Sequence, residues 1–370
     1  MKILLIPENF PNDENPVAGI FMKDYLKAMT LFSDVTMLNS NPWYRGVYEE
    51  VEGVKSYDLH FFSKKWRFPF NILAYSWWER QSFRFAQKFP QPDLIHLHGA
   101  AQRGHWALKL ARFWNVPIVI TEHTGPWSAI SSSSTLLGRV KKILERADLV
   151  MPVSHHLSSE IQESGIYPSR IDVIGNPVDT EFFALREEPL NQKRILFLGR
   201  LDPFKGGLRT LKAFSRIASD FPDYKLTIAG RGADSEGIDK FISSAELENK
   251  VHFIPKQLSR EQMRDLFYDH SFLVFPSEFE SFGLVAAEAM STGLPVLITN
   301  RTGPRDYSNN INSVQIDPNE IEKGLRSILE SEQQFDPLKI RQSILNTFGT
   351  HAFSEKLNQA YRSIRCEFSK

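Results

Sequence analysis

Two carboxylates, Glu280 and Glu288, are separated by seven residues in Pro276-Ser277-Glu278-Phe279-Glu280-Ser281-Phe282-Gly283-Leu284-Val285-Ala286-Ala287-Glu288-Ala289-Met290. The apolar run from Phe272 to Phe275 ahead of them reads as a strand, and a helix opens near Gly283. A strand, a glycine turn and a helix start make a site for an anion, because free amides and the helix dipole both favour negative charge there. Carboxylates beside such a site suit a ligand rich in hydroxyls, since ionised oxygens accept their hydrogen bonds. A glutamate in a helix ordinarily belongs on a solvated face. Glu288, however, has Leu284, Val285, Ala286, Ala287, Ala289 and Met290 around it, and a carboxylate in apolar surroundings is costly without partners. The ligand that fits is a phosphate with a sugar on one side and a ribose on the other.

A second constellation lies upstream. Ile195-Leu196-Phe197-Leu198 reads as a fully buried strand of a parallel sheet. It runs into Gly199-Arg200-Leu201-Asp202-Pro203-Phe204-Lys205-Gly206-Gly207, and a helical pattern follows at Leu208, Leu211, Phe214 and Ile217. Arg200 and Lys205 therefore stand at the carboxyl end of a strand, where open α/β sheets bind ligands. Arginine grips phosphate oxygens bidentately and lysine acts as a mobile point charge. Either cation alone would be an ordinary loop residue; the pair, with the two glutamates, makes a phosphate site.

On these residues the chain resembles the retaining, nucleotide-sugar-dependent glycosyltransferases of the GT-B fold, the family-4-like group 1 enzymes. The resemblance is carried by Gly199-Arg200-Leu201, Lys205-Gly206, the Glu280 to Glu288 motif about eighty residues on, and Gly293-Leu294-Pro295-Val296. Asn176-Pro177-Val178-Asp179 is similar to that family's Asn-Gly-Val-Asp segment, with Pro177 in place of the glycine. It covers nearly the whole chain and says little about which sugar is carried. It implies two Rossmann-like α/β domains whose parallel sheets face a central cleft. It implies that Arg200, Lys205 and the amides around Phe282, Gly283 and Leu284 hold the diphosphate of a donor. Glu288 would take the ribose and Glu280 the sugar. No cofactor and no metal is expected.

The elements that must position these residues follow from composition and pattern. A chain of 370 residues is too long for one ordinary core. Its 42% hydrophobic and 24% charged residues are those of a globular protein. The formal net charge is zero, which gives no electrostatic case for nucleic acid. The single cysteine, Cys366, excludes an internal disulfide and a cysteine-cluster metal site, and fits a reducing cytoplasm. The first apolar run, Ile3 to Ile6, ends at Pro7, so a buried strand is expected rather than a signal peptide.

Strand and helix patterns alternate throughout, which calls for parallel sheets covered by helices. Strands are expected at 2–7, 34–39, 58–63, 94–98, 117–122, 149–154 and 171–175, then at 194–199, 225–230, 251–255, 272–276, 295–299 and 313–317. First-half helices are expected near 18–32, 71–89, 103–114, 136–146 and 155–164. The organisation expected is an acceptor-binding domain over 1–180, a polar linker over 181–193, a donor-binding domain over 194–350, and a final helix, 351–370, that packs back toward the first domain.

In the first half, the strand Ile118 to Glu122 runs into His123-Thr124-Gly125-Pro126-Trp127. A histidine at a strand end is ordinarily structural, but the resemblance places a polar group here, close to the transferred sugar. His96 and His98 are alternates, and their i, i+2 spacing puts both on one face of a strand. The resemblance also implies that a glycine loop near the N-terminus approaches the donor phosphates. This chain offers Ala18-Gly19 where many members have a glycine pair.

Residues 61–89 hold Lys64, Lys65, Arg67, Arg80, Arg84 and Lys88 among Trp and Phe, with Glu79 the only acid. That mixture suits the interface of an anionic bilayer. The reading is then a retaining, metal-independent transferase with a glycan or lipid-linked acceptor, cytoplasmic and peripheral to the membrane through 61–89. A sugar-nucleotide 2-epimerase of the same fold and a non-catalytic nucleotide-sugar-binding subunit are the alternatives. Donor turnover with product identification separates the three.

Overall fold

A computed structural model describes all residues except 12–18, 41–49, 52–53, 60–70, 188–192, 332–334 and 369–370. The chain divides into two compact units, one of Met1–Pro177 with Thr350–Lys370, the other of Val178–Gly349.

The first unit is built on strands β1 (Lys2–Ile6), β2 (Asp34–Ser40), β3 (Glu50–Val51), β4 (Val54–Leu59), β5 (Leu94–His98), β6 (Ile118–Glu122) and β7 (Leu149–Pro152). Their order is β3-β4-β2-β1-β5-β6-β7, with every pair parallel except the β3–β4 hairpin. β5, β6 and β7 are buried at every position, which is why they read as continuous apolar runs. The final helix, Thr350–Phe368, belongs to this unit. Phe353, Leu357, Tyr361 and Ile364 form its buried stripe and join Met22, Tyr25 and Leu26 in one core. Each such side chain withdrawn from water contributes about 1.5–3 kcal/mol.

The second unit carries β8 (Arg194–Leu198), β9 (Lys225–Ala229), β10 (Val251–Ile254), β11 (Phe272–Phe275), β12 (Val296–Thr299) and β13 (Ser313–Ile316). All its pairs are parallel, in the order β10-β9-β8-β11-β12-β13. Both sheets thus reverse strand order once, between β1 and β5 in the first unit and between β8 and β11 in the second. In open α/β sheets the crevice at that reversal is where ligands sit.

Three expectations change. The strand expected at 171–175 is a single bridge from Ile171 to Val150, although the amides of Asp172 and Ile174 still donate to the carbonyls of Val150 and Pro152. β4 begins at Val54, four residues before the strand expected at 58–63, since the hairpin with β3 extends it backward; residues 60–63 lie outside the described residues. Residues 181–187 of the expected linker belong to the second unit, which starts at Val178. The reason is Phe183, which is fully buried. Its carbonyl accepts from Ser291 Oγ at 2.7 Å and from Arg341 at 3.0 Å.

Candidate active site

In the second unit the two loops that carry the sequence-expected residues leave β8 and β11, the neighbours at the strand-order reversal. Gly199 and Arg200 follow β8, and a short 3-10 turn, Pro203–Lys205, delivers Lys205. Pro276 to Gly283 follow β11. The loops meet directly: Lys205 Nζ donates to Glu280 Oε2 at 2.6 Å and to the Phe279 carbonyl at 3.3 Å. Both side chains of that pair are 18% exposed, so the ion pair is shielded without being sealed. Arg200 is 68% exposed, with Asp202 Oδ2 at 2.5 Å. Phe204 lies between the cations, its ring 5.6 Å from the Arg200 guanidinium and 5.6 Å from Lys205 Nζ.

Gly283 caps the helix Leu284–Ser291 in the left-handed region, φ +81°. A Cβ there would stand 2.5 Å from Pro304 Cγ, so only glycine fits. Ala286 and Ala287 both donate to the Gly283 carbonyl, which leaves the amides ahead of them pointing out of the helix start. Phe282 is buried between Tyr307 and Phe348, so its backbone rather than its ring faces the loop. Tyr307 holds this backbone: its hydroxyl donates to the carbonyls of Phe282 at 3.0 Å and Gly283 at 2.7 Å. Burial pushes the Tyr307 hydroxyl well up from its ordinary pKa, and the charges of Glu280, Asp306 and Glu288 push the same way. Tyr307 therefore stays a neutral donor. It was not singled out in the sequence, where Gly303-Pro304 shortly before it was the only local sign of an ordered loop.

Glu288 is 7% exposed. Arg260 NH2 stands 3.9 Å from its Oε1, and the Arg260 guanidinium packs over Phe182 and Phe183 at 5.1 and 5.2 Å. The buried carboxylate is thus held near a stacked cation. Beyond β10, Ile254, Pro255, Lys256, Leu258 and Gln262 line a groove of about 440 Å³, within the range of small-molecule sites.

In the first unit, His123 follows β6. Its Nε2 is 2.7 Å from His98 Nδ1, and the two rings stack at 5.0 Å with 13° between planes. His96 bridges Thr121 Oγ1 at 2.7 Å and the Tyr361 hydroxyl at 2.6 Å. The three histidines are one cluster, although the sequence offered them as alternatives. Burial drives all three toward the neutral form: His96 and His123 are lowered to about 3, and His98 lies well below its ordinary value. Glu122, fully buried, fixes the His123 loop. It accepts from the amides of His123 and Thr124 at 3.0 Å each, from Thr124 Oγ1 at 2.6 Å and from the Ala100 amide at 3.1 Å. Glu8, just past β1, is raised to about 7, first by burial and then by Glu122, against Arg103. Neither glutamate has a motif around it, and only the fold brings them together. Gly19 takes φ +63°, and a Cβ there would stand 2.3 Å from the Asn9 carbonyl oxygen; Ala18 lies outside the described residues. Among the described residues no cluster of three or more His, Cys, Asp or Glu is placed to hold a metal.

Two doubly wound sheets, each with its chemistry-bearing loops at the carboxyl ends of the strands, define the class of the GT-B transferase fold. Two family profiles tile the chain: Glycosyltransferase Family 4 over residues 33–182 and Glycosyl transferases group 1 over residues 178–343. The chain belongs to the family-4-like, group 1 glycosyltransferases. Among curated relatives, a glycogen synthase of Mycobacterium tuberculosis is 28% identical over 222 residues, 58% of this chain and 53% of the relative. A GDP-mannose:cellobiosyl-diphosphopolyprenol alpha-mannosyltransferase of Xanthomonas oryzae is 29% identical over 211 residues, 55% of each. The chain thus spans about half the length of these relatives. The solved sucrose-phosphate synthase of Thermosynechococcus elongatus superposes with a TM-score of 0.79 at 19% identity, over 99% of this chain and 100% of that one. That likeness is one of fold.

Proposed function

We propose that the protein transfers a glycosyl unit from a nucleoside-diphosphate sugar to a glycan or lipid-linked acceptor, with retention of anomeric configuration and without a metal. The observation that carries this reading is the Lys205–Glu280 ion pair at the strand-order reversal, beside the glycine-capped start of the helix Leu284–Ser291. The leaving diphosphate gains negative charge in the transition state. Arg200, Lys205 and the amides of the Phe282-Gly283-Leu284 segment are fixed donors for that charge, which is preorganised electrostatic stabilisation. Glu280, oriented by Lys205, takes the sugar hydroxyls. Glu288 takes the ribose hydroxyls, and the groove at Ile254 to Lys256 offers an apolar wall to the base. In the first unit, His123 is the neutral imidazole suited to a sugar hydroxyl, and the backbone at Gly19 is suited to an anion. The mannosyltransferase relative, by its name, uses a nucleotide-sugar donor and a polyprenol-linked acceptor, which supports the same substrate classes here.

Glu288→Ala is expected to weaken binding of free nucleoside diphosphate by about ten-fold, as loss of a charged hydrogen-bond acceptor does. Glu280→Ala is expected to lower turnover with that affinity nearly unchanged. Calorimetry with UDP, GDP and ADP separates the two, and unchanged affinity in the Glu288 variant overturns the ribose role. With cations already supplied by Arg200 and Lys205, donor turnover should persist in excess chelator. Loss on chelation that a divalent ion restores would overturn the metal-free mechanism.

A further inference from the structure

The helix Arg260–Asp269 opens on a capping box: Ser259 Oγ accepts from the Gln262 amide at 3.3 Å, and the Gln262 side chain accepts from the Ser259 amide at 3.0 Å. Arg260 is the first residue of that helix. A cation there opposes the helix dipole, which favours negative charge at an N-terminus. Arg260 thus does little for its own helix, and its contacts lead elsewhere. Its side chain is 19% exposed, its guanidinium packs over Phe182 and Phe183, and it stands 3.9 Å from Glu288 Oε1. That separation is beyond hydrogen-bond distance. Arg260 therefore acts on Glu288 by charge and takes up none of its acceptor positions.

The two rings belong to the start of the second unit, just after Asn176-Pro177-Val178-Asp179, a segment singled out in the sequence. Asp179 folds the chain there into a turn. Its Oδ1 accepts from the amides of Glu181 at 3.2 Å and Phe182 at 3.1 Å, and its carbonyl accepts from the Phe183 amide at 2.9 Å. The turn is fastened to the helix that carries Glu288. Ser291 lies one helical turn on from Glu288, on the same face, and donates to the Phe183 carbonyl at 2.7 Å. Arg341 spans the join, donating to the carbonyls of Thr180 at 2.8 Å, Phe183 at 3.0 Å and Ser291 at 2.7 Å. These bonds fix the backbone beneath the rings without help from Arg260. A guanidinium stacked on aromatic rings and partly desolvated keeps one orientation. Glu288 accordingly faces a cation whose place is set by the segment that enters the unit.

We propose that Arg260 is a positioning residue for Glu288: seated on Phe182 and Phe183, it fixes the aim of the carboxylate, and the preference of the site for ribose over deoxyribose depends on it. The inference rests on the ribose role proposed for Glu288. It draws on the second unit alone and not on the basic and aromatic run 61–89, of which Lys64, Lys65 and Arg67 lie outside the described residues.

The test is calorimetry with whichever of UDP, GDP and ADP binds wild type most tightly, and with the 2′-deoxy and 3′-deoxy forms of that nucleotide. A missing hydroxyl leaves a buried acceptor unpaired, so wild type should bind the ribose form about ten-fold or more tightly than the weaker deoxy form. Glu288→Ala should bring that ratio to within about two-fold of unity. Arg260→Gln should bring it below about three-fold, although Arg260 is not placed on the nucleotide. Phe182→Leu should lower it likewise, and Phe182→Tyr, which keeps the ring, should hold the wild-type ratio. Arg264 shares the Phe182 ring at 5.0 Å and pairs with Asp265 at 3.2 Å, so Arg264→Gln should keep the wild-type ratio. A merely structural defect weakens the ribose and deoxy forms alike and leaves the ratio intact. That result in Arg260→Gln, with the ratio lost in Glu288→Ala, overturns this inference alone. A wild-type ratio in Glu288→Ala, or no discrimination by wild type, overturns the ribose role and this inference together. Loss of the ratio in Arg264→Gln overturns the assignment to Arg260. Phe182 is only partly buried, so its leucine variant decides the matter if Arg260→Gln fails to fold: a lowered ratio supports the inference and a wild-type ratio overturns it.

Discussion

Lys205→Ala is expected to lower kcat/KM for donor turnover by about 100-fold or more, and Arg200→Ala by a similar factor, because each removes a cation from the leaving diphosphate. The geometry makes the lysine the more consequential. Lys205 Nζ sits 2.6 Å from Glu280 Oε2 with both side chains largely shielded, so truncation deletes one positive charge and also leaves Glu280 without its partner beside a bound phosphate. A carboxylate so placed repels the charge that develops in the transition state. The double variant Lys205→Ala, Glu280→Gln should therefore lose less than the two single losses combined, since residues in one ion pair are not additive. Arg200 is largely exposed and pairs with Asp202, a neighbour in its own loop, so its removal disturbs no contact between the two loops and its loss comes chiefly from the phosphate. Steady-state kinetics with wild-type rates in both single variants would place the diphosphate elsewhere.

The loops after β8 and β11 were legible in the sequence because their signal is local. A buried apolar strand, a turn with glycines and a helical pattern within some twenty residues name the strand end at Arg200, and the same grammar names Glu280 and Gly283. What linked those loops was the order of strands. β8 and β11 are neighbours in the sheet but separated in the chain by β9, β10 and their helices. The Lys205–Glu280 pair is a consequence of that adjacency, and no spacing announces it. The same limit hid Tyr307, whose donations to Phe282 and Gly283 join residues about twenty-five apart in the chain. In the first unit the sequence offered His96, His98 and His123 separately, because their contact crosses from β5 to β6. The first unit's carboxylates, Glu8 and Glu122, have no motif of their own. The misplacements have equally physical causes. Residues 171–175 run beside β7 but bridge it at Ile171 without forming a full strand. The polar run after 180 looks like a linker until Phe183 is seen buried among Ser291 and Arg341.

The histidine cluster should make the first unit acid-labile. Burial lowers His96 and His123 to about 3 in the fold, and His98 is also held far down, whereas the unfolded chain protonates them near 6.5. A base whose folded pKa is depressed contributes nothing against stability above its unfolded pKa. It costs stability as pH falls below that value, because only the unfolded state takes up the proton. At pH 5 His96 and His123 should each cost about 2 kcal/mol, and His98 acts in the same direction. Glu8 has the opposite sign. Its folded pKa, raised to about 7, lies above its unfolded value, so it binds a proton in the folded state first and returns about 2.5 kcal/mol between pH 8 and pH 5. The histidines and Glu8 therefore oppose one another on acidification, and Glu8→Gln, which removes the offset, should lose more stability than wild type. All seven tryptophans lie between Trp43 and Trp127, so tryptophan fluorescence follows the first unit by itself while the second contributes none. Urea unfolding read by that signal at pH 8 and pH 5 should show the midpoint fall on acidification, with a larger fall in Glu8→Gln. A midpoint that holds constant between the two pH values would show that the cluster accepts protons within the fold, and would contradict the neutral state proposed for His123.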